Sequence, residues 1–487
     1  MHAPKLYYQI TPGIWAGSYI GNGVVAYVET QIQWLLVQEI SVVIDLTAPS
    51  DELPSYAPQL TQYAPHITRM SFAISDGDVP SPAMMLAILD VLSDAHHQGR
   101  SVYIHCWRGV SRAVMVATCW LMRQGMTVDA ARAHILQLLP PLSPHVSPDF
   151  QVQIDFVYNW QEPDAATAQR WRRWRDLFRG ALIGGAIGDA LGVTNEHNDI
   201  NTKHLVTDLV GGGPFALPAG WWSDDTSGML CVVKSLILQH GFDAHDQARR
   251  MLDWWQNGVL TCGGRTYDIG NVTMMALYQY MATNNPYSNI TTDHAAGPGS
   301  LVRVAPVGLF FADNPAKVCE YARDTSRITH SSPIAIDACR IVAMMMARTL
   351  YCYDKNNLFA NYWPTIAHDA VVQSVLAGTY TQPRKQAING SFVLGTLDMV
   401  LWGLWNHHDF ASGALALANM AGMPGASCTV YGQIAGAFYG ESAIPLHWRQ
   451  KIARYHEIGW YADTLLRMAW KSLPHTNQTP TGFFAEA

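Results

Sequence analysis

The run VYIHCWRGVSRAVMVATCWLM, residues 102–122, decides the reading of the first third of the chain. An apolar strand, Val102 to His105, leads into the loop Cys106-Trp107-Arg108-Gly109-Val110-Ser111-Arg112, and a helix of apolar period three to four starts near Ser111. Strand, tight loop and helix is the arrangement that aims backbone N–H groups at an anion. Cys106 at the start of the loop faces that ring of dipoles, which favours its thiolate, the form of cysteine that attacks phosphorus. Arg112, on the far side of the loop, returns over it and can hold two equatorial phosphoryl oxygens with its planar fork. Its charge gains in value as the transition state forms.

These residues resemble the HC(x5)R signature of the cysteine-based protein tyrosine phosphatases, of the small dual-specificity type. The resemblance runs over residues 8–160 and takes in ITPGIWAGS at 10–18 and VVIDLT at 42–47, which look like the opening strands of that family. It implies a phosphocysteine intermediate on Cys106, a phosphate cradle formed by Trp107, Arg108, Gly109, Val110, Ser111 and Arg112, and no cofactor. It also implies an aspartate, on a mobile loop upstream, that protonates the leaving oxygen and later deprotonates water. Ser75-Asp76-Gly77-Asp78-Val79-Pro80 sits in that place. Asp76 fits the family spacing to the proline best and Asp78 is the second choice; one of the two has the ordinary task of turning the loop. After the arginine the family carries Ser or Thr, whose hydroxyl assists release of the thiolate. Here the residue is Ala113, which predicts a slower second step.

Outward from this loop, short β-type runs at 42–46, 70–74 and 101–105 alternate with amphipathic stretches, an α/β layer pattern. A proline-rich break at 140–148 and a helix-like stretch ending at Trp160 close the unit, expected to cover residues 1–162. Residues 163–177 read as a helical connection within QEPDAATAQRWRRWRDLFRG, 161–180. Its arginines 170, 172, 173, 175 and 179 suit an anion-binding surface or, more simply, a solvated helix face with tryptophans packed on a neighbour. From 178 to 487, Ala, Met, Leu and Trp dominate long helical-period segments broken by Gly-rich loops, the pattern of an all-α domain without solenoid repeats.

With 487 residues the chain exceeds what one core supports, since single cores stop growing near ~250–300 residues. A content of 49% hydrophobic and 14% charged residues places it among packed globular proteins rather than disordered ones. The formal charge of −7 gives no overall attraction to nucleic acid or anionic lipid. The N-terminus lacks a basic region followed by an apolar run, and no uncharged stretch reads as long enough to span a bilayer, so a cytoplasmic protein without nucleic-acid or membrane partners is expected. Eight cysteines without CxxC pairs argue against disulfides and zinc ribbons and for a reducing compartment.

In the second part, FRGALIGGAIGDALGVTNEH at 178–197 is a small-residue helix that ends in Asp189 and Glu196. Together with Trp222-Ser223-Asp224-Asp225-Thr226, Tyr267-Asp268-Ile269-Gly270-Asn271, GPGSLVRVAPVG at 297–308, Thr329-His330 and GQIAGAFYGESAIPLHW at 432–448, it resembles the ADP-ribosylglycohydrolase family across nearly all of 178–470. The resemblance implies hydrolysis of a glycosidic bond to ADP-ribose with two Mg²⁺ ions held by oxygen ligands. It assigns Ser223, Asp224 and Asp225 to one metal half-site. Glu196, Asp189, Asp268, Gly299 and Ser300 fall to the ADP-ribose site.

The other half-site belongs to an Asp-x-Asp-Thr motif. Here Met423, Gly425 and Ala426 stand where its ligands belong, and none binds Mg²⁺. Asp-Asp-Thr alone is an ordinary helix cap. His330 reads as an interior histidine rather than a ligand.

Two domains are therefore expected: a phosphatase with a mixed sheet flanked by helices, and an all-α ADP-ribosylglycohydrolase-like domain with a degenerate metal site. The partners expected are a phosphorylated protein or small molecule and ADP-ribose or a related nucleotide. A bifunctional phosphatase and ADP-ribosylhydrolase is one alternative, and a non-catalytic binder of modified partners another.

Overall fold

The computed structural model describes residues 7–21, 25–139, 150–196, 205–359, 367–382, 391–420 and 424–470. The proline-rich break at 140–148 and Met423 lie outside them. The chain divides into two compact units, 1–172 and 173–487, with the boundary inside the connection expected at 163–177.

The first unit is a five-stranded sheet with helices: β1 (Tyr7–Thr11), β2 (Ile14–Gly17), α1 (Val25–Val37), β3 (Ile40–Asp45), α2 (Ala57–Tyr63), β4 (Thr68–Ser71), α3 (Pro82–His97), β5 (Ser101–His105), α4 (Arg112–Arg123), α5 (Val128–Leu138) and α6 (Gln151–Asn159). The strand order is β1-β2-β5-β3-β4; β1 pairs antiparallel with β2, and the other pairs are parallel. ITPGIWAGS thus forms a tight hairpin, turning at Gly13 with φ 78°. Val42, Val43 and Ile44 in β3 and Val102 to Ile104 in β5 are buried, the continuous apolar run that a parallel strand covered on both faces requires. Gly17, His105 and Asp45 are register partners across β2, β5 and β3. The loop after β5 therefore opens at the carboxyl edge of the parallel strands, where α/β sheets place their sites.

The strand expected at 70–74 ends early, at Ser71. Phe72 and Ile74 still donate backbone hydrogen bonds to Asp45, the last residue of β3, and to Leu46 just past it. The segment follows its neighbour as a strand would while its backbone leaves the regular ladder. That departure sends residues 75–80 over the site.

The second unit is helical: α7 (Ala165–Gly192, begun in the first unit), α8 (Asp224–Leu238), α9 (Ala244–Asn257), α10 (Asn271–Thr283), α11 (Ala305–Phe310), α12 (Pro315–Arg327), α13 (Pro333–Thr349), α14 (Lys355–Leu358), α15 (Ala370–Leu376), α16 (Val393–Asn406), α17 (Phe410–Ala418), α18 (Pro424–Tyr439), α19 (Leu446–Lys451) and α20 (Tyr455–Ala469). Among the described residues it has no strand, only one isolated bridge, Gly212 to Leu217. In α13 and α16 almost every side chain is buried, which fits helices that are apolar all round.

The small-residue helix α7 packs on α18 backbone to backbone. A Cβ at Gly180, Gly184 or Gly188 would fall 2.1, 2.4 or 2.0 Å from the carbonyl oxygens of Gly436, Gly432 and Cys428, and one at Gly192 would fall 2.7 Å from Gly425 Cα. Only glycine admits this approach, so the four-residue glycine spacing fixes the register of the two helices. The stretch Ala165–Asn195 is long and apolar enough by composition to cross a membrane, and its apolar window is wholly buried within the protein.

Candidate active sites

In the first unit Cys106 is the first residue after β5 and is 1% exposed. Gly109 returns its N–H to Cys106 Sγ at 3.3 Å. Its φ is 78°, and a Cβ there would lie 2.3 Å from the Gly17 carbonyl carbon, so this loop position admits only glycine. The loop is tied down from β1 and β2: Tyr8 Oη donates to the Gly109 carbonyl at 3.0 Å, and Tyr19 N–H to the Trp107 carbonyl at 2.9 Å. Beneath it, His105 is fully buried with Nε2 2.7 Å from Tyr56 Oη. Burial pushes its imidazole down to about 4, so it is neutral beside the loop. Val110 and Ser111 are buried, whereas Trp107 and Arg108 face solvent, with the guanidinium carbon 5.3 Å from the indole ring centre.

Arg112 starts α4 and is fully buried. Its Nη1 donates to Asp51 Oδ2 and to the Ile74 carbonyl, each at 2.7 Å, and Nη2 meets Asp76 Oδ1 at 3.2 Å. Nε is a buried donor without a hydrogen-bond partner among the described residues. Of the two candidate acids, the structure brings Asp76 to the arginine. Asp78 instead accepts the N–H of Val79 at 2.8 Å, and its carbonyl accepts from Gln153 Nε2 of α6 at 2.9 Å. Asp51 was not legible in the sequence: nothing in TAPSDELP (47–54) marks it, and its only signal is that a buried arginine needs a countercharge.

In the second unit a cavity of about 470 Å³ is lined by, among others, Glu196, Asp224, Asp225, Asp268, Gly299 and His330. Burial is the first cause of the high carboxyl pKa values here. It lifts Asp224 to about 7, with Asp268 and Asp189 adding to it. It lifts Glu196 to about 8, against the opposing Gly425 N–H. Asp225 stands well above the usual carboxylate range through burial and then the adjacent Asp224, and it accepts from Thr429 Oγ1 at 3.0 Å.

Asp189 does not line this cavity. It accepts from Ser223 N–H (3.1 Å) and Oγ (2.7 Å) and from Thr226 N–H (2.9 Å) and Oγ1 (2.7 Å), and so holds the first turn of α8 in place. Ser300 is also outside the lining: it is fully buried, accepts from Ser326 Oγ at 2.9 Å, and has Cys339 Sγ at 3.4 Å.

His330 is more than an interior histidine. Arg303 Nη2 donates to Thr329 Oγ1 at 2.7 Å, and Thr329 Oγ1 lies 2.7 Å from His330 Nδ1. Thr329 Oγ1 thus bridges Arg303 and His330, whose ring lines the cavity. Burial and then Arg303 push the imidazole pKa down to about 3, so the ring is neutral.

The residues present do not fit a two-ion Mg²⁺ centre. Asp224 and Asp225 offer adjacent carboxylates, but the Ser223 hydroxyl is donated to Asp189. Gly425 and Ala426, where the other half-site is expected, line the wall without side-chain oxygens. Glu196 turns to the backbone instead, accepting the Gly425 N–H at 2.7 Å, and a Cβ at Gly425 would lie 2.6 Å from that same oxygen. Among the described residues no three His, Cys, Asp or Glu side chains converge to hold a metal ion.

Four of the five arginines of the connection, Arg172, Arg173, Arg175 and Arg179, serve structure. Arg172 pairs with Asp90 at 2.7 Å, Arg173 donates to the Leu350, Thr349 and Cys352 carbonyls, Arg175 pairs with Asp463 at 3.0 Å, and Arg179 pairs with Glu441. All eight cysteines are free.

Comparison with known proteins gives the following. Residues 170–474 match the family model described as ADP-ribosylglycohydrolase, and residues 24–138 match the one described as DSP-PTPase phosphatase fused to NAD+ kinase. The ADP-ribosylarginine hydrolase Tri1 of Pseudomonas putida is 32% identical over 340 residues, 67% of this chain and 91% of the relative. The ADP-ribosyl-(dinitrogen reductase) glycohydrolase of Rhodospirillum rubrum is 26% identical over 309 residues, 60% of this chain and 97% of the relative. A solved structure, of an ADP-ribosylglycohydrolase-related protein complex, is 33% identical with a TM-score of 0.55, covering 61% of this chain and 99% of its own.

Proposed function

Because the chain belongs to the ADP-ribosylglycohydrolase family through its helical unit and carries a DSP-PTPase-type domain ahead of it, we propose that it is a cysteine-dependent phosphatase whose helical domain recognises ADP-ribose without ordinary two-metal hydrolysis. The observation that carries the phosphatase reading is Arg112, a buried guanidinium with a free Nε donor at the end of the loop that begins with Cys106. A buried charged donor left unpaired is costly, and a phosphoryl oxygen supplies its partner.

In the first step Cys106 Sγ attacks phosphorus, the bond to the leaving oxygen breaks, and Asp76 delivers a proton to that oxygen. Arg112 and the loop N–H groups hold the equatorial oxygens throughout. In the second step water attacks the phosphocysteine, Asp76 takes its proton, and the Cys106 thiolate leaves, releasing inorganic phosphate. Neutral His105 keeps a second positive charge away from the base of the loop. The solvent-facing Trp107 and Arg108 support a substrate presented at an open surface rather than swallowed whole.

In the helical domain, the cavity size and the neutral imidazole of His330 in its lining support a nucleotide-sugar ligand, and the Glu196–Gly425 bond supports loss of the second ion. The free cysteines support a reducing compartment. A second reading, that ADP-ribose is also hydrolysed, is favoured by the 32% identical ADP-ribosylarginine hydrolase.

The test uses the full chain. Turnover of p-nitrophenyl phosphate should stop in Cys106→Ser, while calorimetry should detect ADP-ribose binding to both forms with or without Mg²⁺. Turnover by Cys106→Ser ends the first part of the proposal, and absence of ADP-ribose binding ends the second. Release of ADP-ribose from modified arginine, stimulated by Mg²⁺, would establish the second reading.

A further inference from the structure

We infer that Asp51 is the positioning residue that decides which edge of Arg112 meets the phosphoryl group; this rests on the phosphatase reading above. A guanidinium can grip an anion with two prongs either through Nη1 and Nη2 or through Nε and Nη2. In this protein Nη1 is spent, because it donates to both Asp51 Oδ2 and the Ile74 carbonyl at 2.7 Å. The Nε–Nη2 edge is what remains, with Nε unpartnered among the described residues and Nη2 against Asp76.

The two aspartates on Arg112 are held very differently. Asp51 Oδ2 also accepts the Ala48 N–H at 2.9 Å, and the Asp51 N–H returns to the Ala48 carbonyl at 3.0 Å, so the carboxylate is locked into the 3-10 turn Pro49–Asp51 just beyond β3. Its side chain is 3% exposed, whereas that of Asp76 is 49% exposed and stands 3.2 Å from Nη2. An arriving phosphoryl dianion therefore displaces Asp76 from Nη2, freeing it for the leaving oxygen, and collects Nε. It cannot displace Asp51 without opening the turn. Asp51 touches no substrate atom; it acts by holding the arginine with its reactive edge outward.

The experiment compares the full-length wild type with Asp51→Asn, Asp51→Glu and Asp51→Ala, each checked by thermal melt. The readouts are kcat/KM on p-nitrophenyl phosphate, the inhibition constant for inorganic phosphate, and the rate of Cys106 alkylation by iodoacetate with and without phosphate. Asn keeps an acceptor at the Oδ2 position without the charge. Glu keeps the charge but moves it by about 1.5 Å. The inference expects Asn to retain most of the phosphate affinity, and Glu and Ala to lose about 30-fold in both phosphate affinity and kcat/KM. Alkylation without phosphate should be unchanged in every variant, with phosphate protection lost in Glu and Ala.

The reverse order, with Glu restoring affinity and Asn not, makes Asp51 a countercharge rather than a positioning group and overturns the inference. So does wild-type phosphate affinity in Asp51→Ala. Should Ala not fold, the order of Asn and Glu decides alone. A wild type with neither turnover nor phosphate-protected alkylation refutes the phosphatase reading itself, an outcome distinct from wild-type activity that all the Asp51 variants share.

Discussion

Ala113 and Gly425 stand where the two families carry oxygen-bearing side chains. Ala113 is fully buried in the first turn of α4, directly after the arginine, and the proposed mechanism gives a hydroxyl at this position the task of assisting thiolate release. Ala113→Ser should raise kcat about threefold to tenfold and lower the phosphocysteine level seen by rapid quench into denaturant. An unchanged phosphoenzyme level would place the slow step elsewhere. Gly425→Asp puts a Cβ on the Glu196 carboxylate and adds charge to a crowded acidic wall. It should cost about 1–3 kcal/mol in thermal or urea melts without Mg²⁺, with part of the loss regained when Mg²⁺ is added. An unchanged melt in chelator would refute the clash. At this scale the sequence was readable wherever the partners are neighbours in the chain, as with Cys106, Gly109 and Arg112. It was silent on Asp51, 61 residues before Arg112, and on the meeting of Glu196 with Gly425, 229 residues apart. Those pairs exist only once the strands and helices have been brought together.

Helix and strand types followed the apolar periods closely because most segments carry a single strong period: β5 coincides with the expected run, and α4 begins one residue after Ser111. Segment 70–74 departed because the ladder beside it ends at Asp45, which no local pattern encodes. The arginine-rich run was ambiguous for a related reason, since charge alone does not say whether carboxylates wait on other helices. Arg179 shows that they do. It is buried between Glu441 and Asp463, and against the upward push of burial its charge and hydrogen bonds, helped by the Tyr455 hydroxyl and Arg175, hold the Glu441 carboxyl down at about 2. A depressed carboxyl contributes stability that is full above its unfolded value of about 4.3 and is lost as pH falls through the folded value. The helical unit should therefore lose up to roughly 3 kcal/mol between those limits. Glu441→Gln should flatten the slope of stability against pH there, while lowering stability at neutral pH. A parallel slope in the variant would assign the acid sensitivity to other carboxyls.

Across the whole molecule, length and composition already required two cores, and each unit has its own site chemistry. One site is built from a cysteine and an arginine, the other from carboxylates whose pKa values burial raises to about 7 and 8. The proposed function makes neither dependent on a metal. Exhaustive treatment with EDTA should leave both p-nitrophenyl phosphate turnover and ADP-ribose affinity in the full chain within about twofold of the untreated protein. A collapse of ADP-ribose binding that Mg²⁺ restores would mean that Asp224 and Asp225 hold an ion after all.

The glycine seam between α7 and α18 bears on how this cavity can change over generations. Because the two helices meet through backbone atoms, replacing the side chains at the head of α18 leaves the spacing between the walls untouched. Change there is limited by the cavity wall rather than by the helix seam. A carboxylate placed at 425 would meet Glu196 first, because that side chain holds the Gly425 amide and would have to swing away to admit it.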